Sequence, residues 1–301
     1  MASFKANGKF LLTGEYLVLH GALSLALPLK LGQTLNVETT DNDIVRWTAK
    51  HPLGVWFDAS FDRKSLGLIE SSDAVKAGFV AHLLEMVRNG KPHLFDRGLT
   101  FNTLLDFDPQ WGMGSSSTLV SNIARWAGLD PYQILKETFG GSGYDIACAE
   151  ASSPIFYSLE NGSPVVQKAD FNPSFSQCLY FVYQGKKQSS AREVKSFMLK
   201  DDRNYLKYIP FVDAITKEMV NVDKFDDFCR LLDKHEAIMS ECLGKPGLKT
   251  YFSDFEGSLK SLGAWGGDFM LAATDKGEDY VKNYFAKHDM NVVLSYDEIV
   301  M

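Results

Sequence analysis

The sequence predicts an α+β protein of two mixed lobes, and three features carry that prediction. The first third alternates short apolar runs with turn residues, and later stretches place apolar residues at helical spacing. A turn-rich segment, Asn161 to Ser176, then separates one series of elements from the next, and Pro164, Asn172 and Pro173 are expected to interrupt any regular element there. The domains are accordingly read as residues 1–162 and 163–301.

Phe10 to Thr13, Leu23 to Leu27, Thr34 to Thr39, Ile44 to Thr48 and Gly54 to Phe57 are apolar runs of strand length bounded by turn residues, as in one sheet. From Ser72 the spacing becomes helical, with Val75, Phe79, Leu83 and Met86 on one stripe, Asp73 near the start and Gly90 past the end. Leu99 to Leu105 returns to strand character. Leu119, Val120, Ile123, Ala124 and Ala127 mark a helix that opens after Gly112 to Ser117, and Asp130-Pro131 supplies a cap and a first-turn proline for another. Ile155 to Leu159 closes this half as a strand. The second half reads as strand Leu179 to Tyr183, helix Phe211 to Val222 and a long amphipathic helix from Phe225 to Cys242. Strand Phe269 to Thr274, helix Tyr280 to Phe285 and strand Val292 to Leu294 follow.

Composition narrows the function classes. Hydrophobic residues make up 45% and charged residues 23% of the chain, the balance of a globular protein with a sizeable core. The net charge of −7 gives no attraction to nucleic acid or to an anionic membrane. Cys148, Cys178, Cys229 and Cys242 form no CxxC pair, so neither a zinc site nor a disulfide framework is expected, and a reducing compartment fits. No apolar stretch approaches membrane-spanning length and the first ten residues lack a signal-peptide core, so a cytoplasmic protein is expected. The six histidines are scattered without ligand spacing, and a structural role is expected for each.

The segment that speaks most directly of chemistry is Gly112-Met113-Gly114-Ser115-Ser116-Ser117, followed at once by a helical pattern. Small residues let backbone N–H groups close around phosphate oxygens, and the helix N-terminus adds partial positive charge where the anion would sit. A first-turn serine hydroxyl also suits the magnesium that bridges phosphates. A serine-glycine turn that only caps a helix is the alternative. The segment is neither a GxxxxGK[ST] loop nor a GxGxxG fingerprint.

It resembles the second motif of the GHMP kinases (galactokinase, homoserine kinase, mevalonate kinase, phosphomevalonate kinase), approximately P-x3-G-L-G-S-S. Pro109 stands one residue closer than usual and Met113 replaces leucine. Two other segments are similar to family motifs in the right order. Ala6-Asn7-Gly8-Lys9, leading to Thr13-Gly14-Glu15-Tyr16, resembles A-P-G-K followed by G-E-H or G-E-Y, with asparagine for proline. Gly263-Ala264-Trp265-Gly266-Gly267-Asp268 resembles G-A-G-G-G, with tryptophan for glycine. Between them, Gly140-Gly141-Ser142-Gly143-Tyr144-Asp145-Ile146-Ala147 is similar to the G-S-G-x-D-x-A segment of the mevalonate branch.

The resemblance implies an N-terminal domain like ribosomal protein S5 domain 2 and a ferredoxin-like C-terminal domain, with ATP and acceptor meeting in the cleft between them. It implies Asp145 as the residue that takes the acceptor's proton and Lys9 beside it, with Gly112, Met113, Gly114, Ser115, Ser116 and Ser117 around the phosphates. Ser116 would ligate Mg2+. The family's second ligand, a glutamate about eleven positions before the aspartate, falls on Ile134, and Glu137 is the nearest candidate. Glu15, Tyr16, Ser142, Gly143, Gly263, Ala264, Gly266 and Gly267 would line the substrate side, Trp265 either pointing away or narrowing the site.

The partners implied are ATP, with Mg2+ as cofactor, and a small acceptor; neither nucleic acid nor membrane is expected, and a homodimer is left open. Gly14-Glu15-Tyr16, the Gly-Ser-Gly-Tyr-Asp segment and the Gly-Gly-Asp ending at Asp268 look more like phosphomevalonate or mevalonate kinase than like galactokinase or homoserine kinase. Lys186, Lys187 and Arg192 are candidates for a phosphorylated acceptor. The alternatives are a non-catalytic ATP and metabolite sensor of the same fold, and a kinase for a sugar or homoserine. A decarboxylase of the same superfamily ranks last, because that branch lacks such a loop.

Overall fold

The computed structural model describes residues 1–186, 193, 196–197 and 203–301. The chain folds into two compact units, Met1–Gly8, Leu31–Pro109 and Met113–Glu150 forming the first, and Lys9–Lys30, Gln110–Gly112 and Ala151–Met301 the second. Strands β1 (Ala2–Leu11) and β2 (Ser24–Thr40) pair with each other, and each gives part of its length to both units.

In the first unit, β3 (Ile44–His51), β4 (Gly54–Asp62), β5 (Leu68–Ser71) and β6 (Gly98–Leu105) join the end of β2 in the order β5-β4-β3-β6-β2. β3 and β6 run parallel, Val45 opposite Leu99, and the other pairs are antiparallel. Alternation drives the sheet: Val45, Trp47 and Ala49 are buried while Arg46 and Lys50 face out. Helix α1 (Ala74–Gly90) starts where Asp73 accepts from the N–H groups of Val75 and Lys76, at 3.0 and 3.1 Å. It turns inward Ala77, Val80, Leu83, Leu84 and Val87, against Trp47, Phe61 and Phe101. That corrects the expected stripe. Val75 is exposed and Phe79 and Met86 lie at the margin, because two apolar stripes compete on this helix and the one with more aliphatic residues takes the core. Helices α2 (Ser115–Ala127), α3 (Pro131–Thr138, capped by Asp130 on Tyr132 N–H) and α4 (Tyr144–Glu150) complete the unit.

In the second unit, β7 (Ile155–Glu160) pairs with the start of β2, Ser24 opposite Tyr157, and β8 (Ser163–Lys168) pairs with β7. β8 lies inside the stretch expected to hold no regular element. It is an exposed edge strand, where the missing N–H of Pro164 costs no interior ladder bond. β9 (Leu179–Tyr183), α5 (Ile209–Met219), α6 (Phe225–Leu243), β10 (Ser258–Ser261), β11 (Phe269–Ala273), α7 (Glu278–Ala286), β12 (Val293–Ser295) and α8 (Tyr296–Ile299) follow. The four strands form an antiparallel sheet in the order β10-β11-β9-β12. Both faces are covered, which is why β9 and β11 read as unbroken apolar runs. Tyr180, Val182, Met270 and Ala272 pack with Val281 and Phe285 of α7. On the other face Phe10 stacks on Phe181 at 4.8 Å and touches Phe269 at 5.1 Å.

Candidate functional site

The predicted site residues fall in both units, Met113 to Ser117, Glu137, Ser142, Gly143 and Asp145 in the first and Lys9, Glu15, Tyr16, Gly112 and the Gly263–Gly267 loop in the second. Among the first unit's elements, α2 begins at Ser115, and Gly114 before it adopts φ 97°, a left-handed conformation that side chains with a Cβ resist. Among the described residues no side chain caps this helix, so the N–H groups of its first turn remain for another acceptor. Met113 is wholly buried and offers only its backbone. The three serines diverge. Ser117 is buried and donates to Gly114 O at 3.0 Å, Ser115 is half-buried, and Ser116 is exposed.

Beneath the loop lies a polar layer that sequence reasoning did not single out. Thr118 Oγ1 is 3.0 Å from Gly114 O and 3.2 Å from Gln33 Oε1, and Asn122 donates to Gln33 O at 2.9 Å. Gln33, Thr118 and Asn122 are all buried. Their signal in the sequence is the run of polar residues Thr118, Ser121 and Asn122 on the inward stripe of an otherwise apolar helix.

Asp145 lies in the first turn of α4, half-buried, and accepts from Ile146 N–H at 3.1 Å. Gly143, with φ 85°, shapes the turn, its carbonyl accepting from the N–H groups of Ile146 and Ala147; half-buried Ser142 precedes it. Burial, together with the charges of Glu150 and Asp145, pushes the Tyr132 hydroxyl up to about 12. On α3, Ile134 is buried in the core and cannot serve as a ligand, whereas Glu137 is exposed and accepts from Gln133 Nε2 at 3.1 Å. Among the described residues no cluster of three or more His, Cys, Asp or Glu could hold a metal. Ser116 and Glu137 are hard oxygen donors, the chemistry Mg2+ takes, and that ion commonly relies on phosphates and water for its remaining ligands.

In the second unit, Lys9 is half-buried on β1. Thr13 to Tyr16 form a tight turn. Gly14 has φ 84°, and a Cβ there would stand 2.2 Å from Ser24 Oγ; Tyr16 has φ 61°. Glu15 is 1% exposed, its carboxylate facing Lys260 of β10 and His235 of α6. Burial pushes Glu15 up to about 7 against the opposing pull of Lys260, and burial and Lys260 hold His235 well below its ordinary value. Tyr16 packs with Leu17, Phe197, Met239 and Trp265. Burial, reinforced by Glu193, pushes its hydroxyl far up.

The Gly263–Gly267 loop absorbs Trp265 by burying it, at 3% exposure, in that same apolar cluster. Ala264 is buried beside it, Gly266 is exposed, Gly263 is half-buried, and Gly267 O accepts from Gln184 Nε2 at 3.0 Å. Asp268, buried at φ 55°, sits against Gly112, where a Cβ would come within 2.4 Å of its Cγ. Gly112 is thus glycine by contact with this carboxylate as well as by its φ of 69°. Lys186 is exposed and its carbonyl accepts from Asp268 N–H; Lys187 and Arg192 lie outside the described residues.

No family model and no curated protein matches this sequence. Its fold, however, matches solved kinases along nearly the whole chain. The Methanococcus jannaschii mevalonate kinase is 16% identical with a TM-score of 0.72, covering 100% of this chain and 98% of that one. A Streptococcus pneumoniae phosphomevalonate kinase, in complex with phosphomevalonate and AMPPNP, is 15% identical with a TM-score of 0.72, covering 98% and 100%. A Lactococcus lactis galactokinase complexed with galactose is 13% identical with a TM-score of 0.63, covering 97% and 92%. The chain therefore has the mixed α+β fold shared by these GHMP kinases.

Proposed function

We propose that this protein is an ATP-dependent small-molecule kinase of the GHMP class that phosphorylates phosphomevalonate or mevalonate. The observation that carries the reading is the start of α2: a left-handed Gly114, an uncapped first turn and an exposed Ser116 hydroxyl make a backbone cradle suited to a phosphate chain. The shared fold supports it, as do the two structural relatives that act on mevalonate and phosphomevalonate. On this reading the N-terminal and C-terminal domains, 1–162 and 163–301, correspond to the S5 domain 2-like and ferredoxin-like modules.

Phosphoryl transfer asks for positioning and for positive charge around the transferring group. The N–H groups of Ser115 to Ser117 bind the phosphates. Ser116, with Glu137, would hold the Mg2+, which supplies charge neutralisation on the phosphate oxygens. With a hydroxyl acceptor such as mevalonate, Asp145 accepts its proton as the new P–O bond forms and the bond from the γ-phosphorus to the bridging oxygen breaks, ADP leaving; an ionised phosphate acceptor attacks without that proton, and in both cases Lys9 stabilises the charge that develops. The Gly263–Gly267 loop exposes Gly266 while the Trp265 ring is turned into the core.

One observation favours a second reading, a non-catalytic sensor: the position where relatives of the mevalonate branch place a metal ligand is the buried Ile134. An acceptor panel separates the two. Mevalonate, phosphomevalonate, homoserine and galactose are each incubated with ATP and Mg2+, and ADP release is measured. Release dependent on phosphomevalonate or mevalonate is the expected result. Release with galactose alone reassigns the acceptor, and tight ATP binding with no release from any acceptor overturns the kinase in favour of the sensor.

A further inference from the structure

The second unit buries four ionisable side chains together, and their charges do not balance if all take their ordinary states. Glu15 is 1% exposed, His235 and Lys260 0%, and Glu236 6%. One ammonium faces two carboxylates. Glu236 accepts from three donors: Leu248 N–H at 3.2 Å and Ser261 Oγ at 2.9 Å on one oxygen, and Ser261 N–H at 3.0 Å on the other. Lys260 donates to Glu15 Oε1 and, at 2.8 Å, to Ser261 O.

The remaining atoms say where a proton belongs. Among the described residues Glu15 Oε2 is buried without a hydrogen-bond partner, and it lies 3.6 Å from His235 Nε2. That nitrogen accepts from Gly14 N–H at 3.2 Å, so the imidazole is neutral and carries its hydrogen on Nδ1, which among the described residues is also buried without a hydrogen-bond partner. An ionised Glu15 would leave a net negative charge in the interior with one oxygen unpaired, an arrangement whose desolvation cost is high. A proton on Oε2 removes the excess charge and turns the orphaned acceptor into a donor. The side chain that Oε2 faces is His235, at 3.6 Å from Nε2. Among the described residues, Tyr16 also lies near Glu15, beside Lys260 on β10 and His235 and Glu236 on α6, and its hydroxyl stays neutral.

We propose that at neutral pH Glu15 is protonated on Oε2, the oxygen that faces His235 Nε2, and that this neutral pair acts as a positioning device for the Thr13 to Tyr16 turn. Glu15 then grips the turn from inside instead of touching an acceptor. Gly14 N–H occupies the lone pair of the same imidazole nitrogen that the Glu15 carboxyl faces, so the protonation of Glu15 and the backbone of the turn are coupled.

The test is Glu15→Gln in the full chain. Glutamine reproduces the protonated acid, with an oxygen for Lys260 and an N–H for His235. Its thermal midpoint near pH 7 should therefore stay within about 4 °C of the parent. If Glu15 is instead a carboxylate paired with Lys260, the substitution strands a buried ammonium and the midpoint should fall by more than about 10 °C, or the protein should fail to fold. Either of those results overturns the proposal. Infrared difference spectra give a readout that a merely structural role would not move. The parent near pH 6 should show a protonated-carboxyl C=O band that Glu15→Gln lacks; identical spectra overturn the proposal even if both proteins are equally stable.

Discussion

The start of α2 in the first unit and the turn from Thr13 to Tyr16 in the second carry equally suggestive sequence motifs, yet they treat their polar groups in opposite ways. At α2 the first-turn N–H groups have no side-chain cap among the described residues, and Ser116 stands in solvent. At the turn, Glu15 is buried with Lys260 and His235, and Tyr16 is packed among aromatic side chains. Polar groups left exposed and uncompensated are prepared for a ligand; polar groups that pair with one another in the interior are prepared to hold a shape. Motif membership does not distinguish the two. Burial and hydrogen-bond partners do.

The largest effect expected is at Gly114. Valine there must adopt φ near the observed 97°, a region L-residues with branched side chains avoid, so the cradle should collapse while the buried core of α2 keeps the fold. Nucleotide affinity, measured by calorimetry on a protein shown by circular dichroism to be folded, should drop by on the order of a hundredfold or more. Unchanged affinity would place the phosphates elsewhere and remove the contrast between the two regions.

Next is Asp145→Asn, which keeps size and most hydrogen bonding but removes the charge and the proton acceptor. Once an acceptor is identified, turnover should fall about a hundredfold, equivalent to about 2.7 kcal/mol, with ATP still bound. Lys9→Met should slow turnover as well, and the two losses should be less than additive. A smaller effect belongs to Ser116→Ala: turnover should drop about tenfold, with a weaker effect on nucleotide affinity and a higher Mg2+ requirement. Equal effects of Ser115→Ala and Ser116→Ala would show that exposure does not select the ligand.

Much of the architecture was legible because periodicity reports burial. Asp73, Asp130 and Pro131 mark helix starts by local chemistry, and β9 is found at Leu179–Tyr183 as read. Three things were not legible, each for a physical reason. The phase of α1 depends on which of two apolar stripes meets the sheet. β8 is exposed and carries a proline, so it has neither alternation nor the composition of an interior strand. Segment Lys9–Lys30 groups with the second unit through contacts distant in sequence, as when Met301 N–H donates to Pro28 O. At the site, the glycines and serines of the α2 loop could be read because backbone conformation demands them. The interior partners Lys260, Glu236 and Gln33 could not, since a polar residue in a strand or on a helix gives no hint of what it faces. Trp265 looked like an obstruction in the glycine loop, and only packing reveals that its ring is buried away from solvent.

The last effect expected concerns pH, and it sharpens the contrast by testing the buried region alone. His235 is held well below 6.5 when folded, by burial first and by Lys260 second. In the unfolded chain it takes a proton near 6.5, so its contribution to stability is lost as pH falls below that value, by at most about 1.4 kcal/mol per pH unit. Glu15 has the opposite sign. Its folded value is about 7 against 4.5 unfolded, so its protonation favours the folded state below 4.5 and this advantage disappears as pH rises through 7. Between about pH 5 and 6.5 each state then holds one proton on this pair, on the carboxyl when folded and on the imidazole when unfolded, and the two slopes cancel. The variants separate them. Relative to the parent in urea titrations, His235→Gln should gain stability as pH falls from about 6.5 to 5, and Glu15→Gln should lose it over the same range. The remaining carboxylates contribute the same background to all three proteins and drop out of the differences. Two difference curves that slope the same way would mean that the turn is held by fixed charges, and the opposition between an open phosphate cradle and a neutral buried pair would fail.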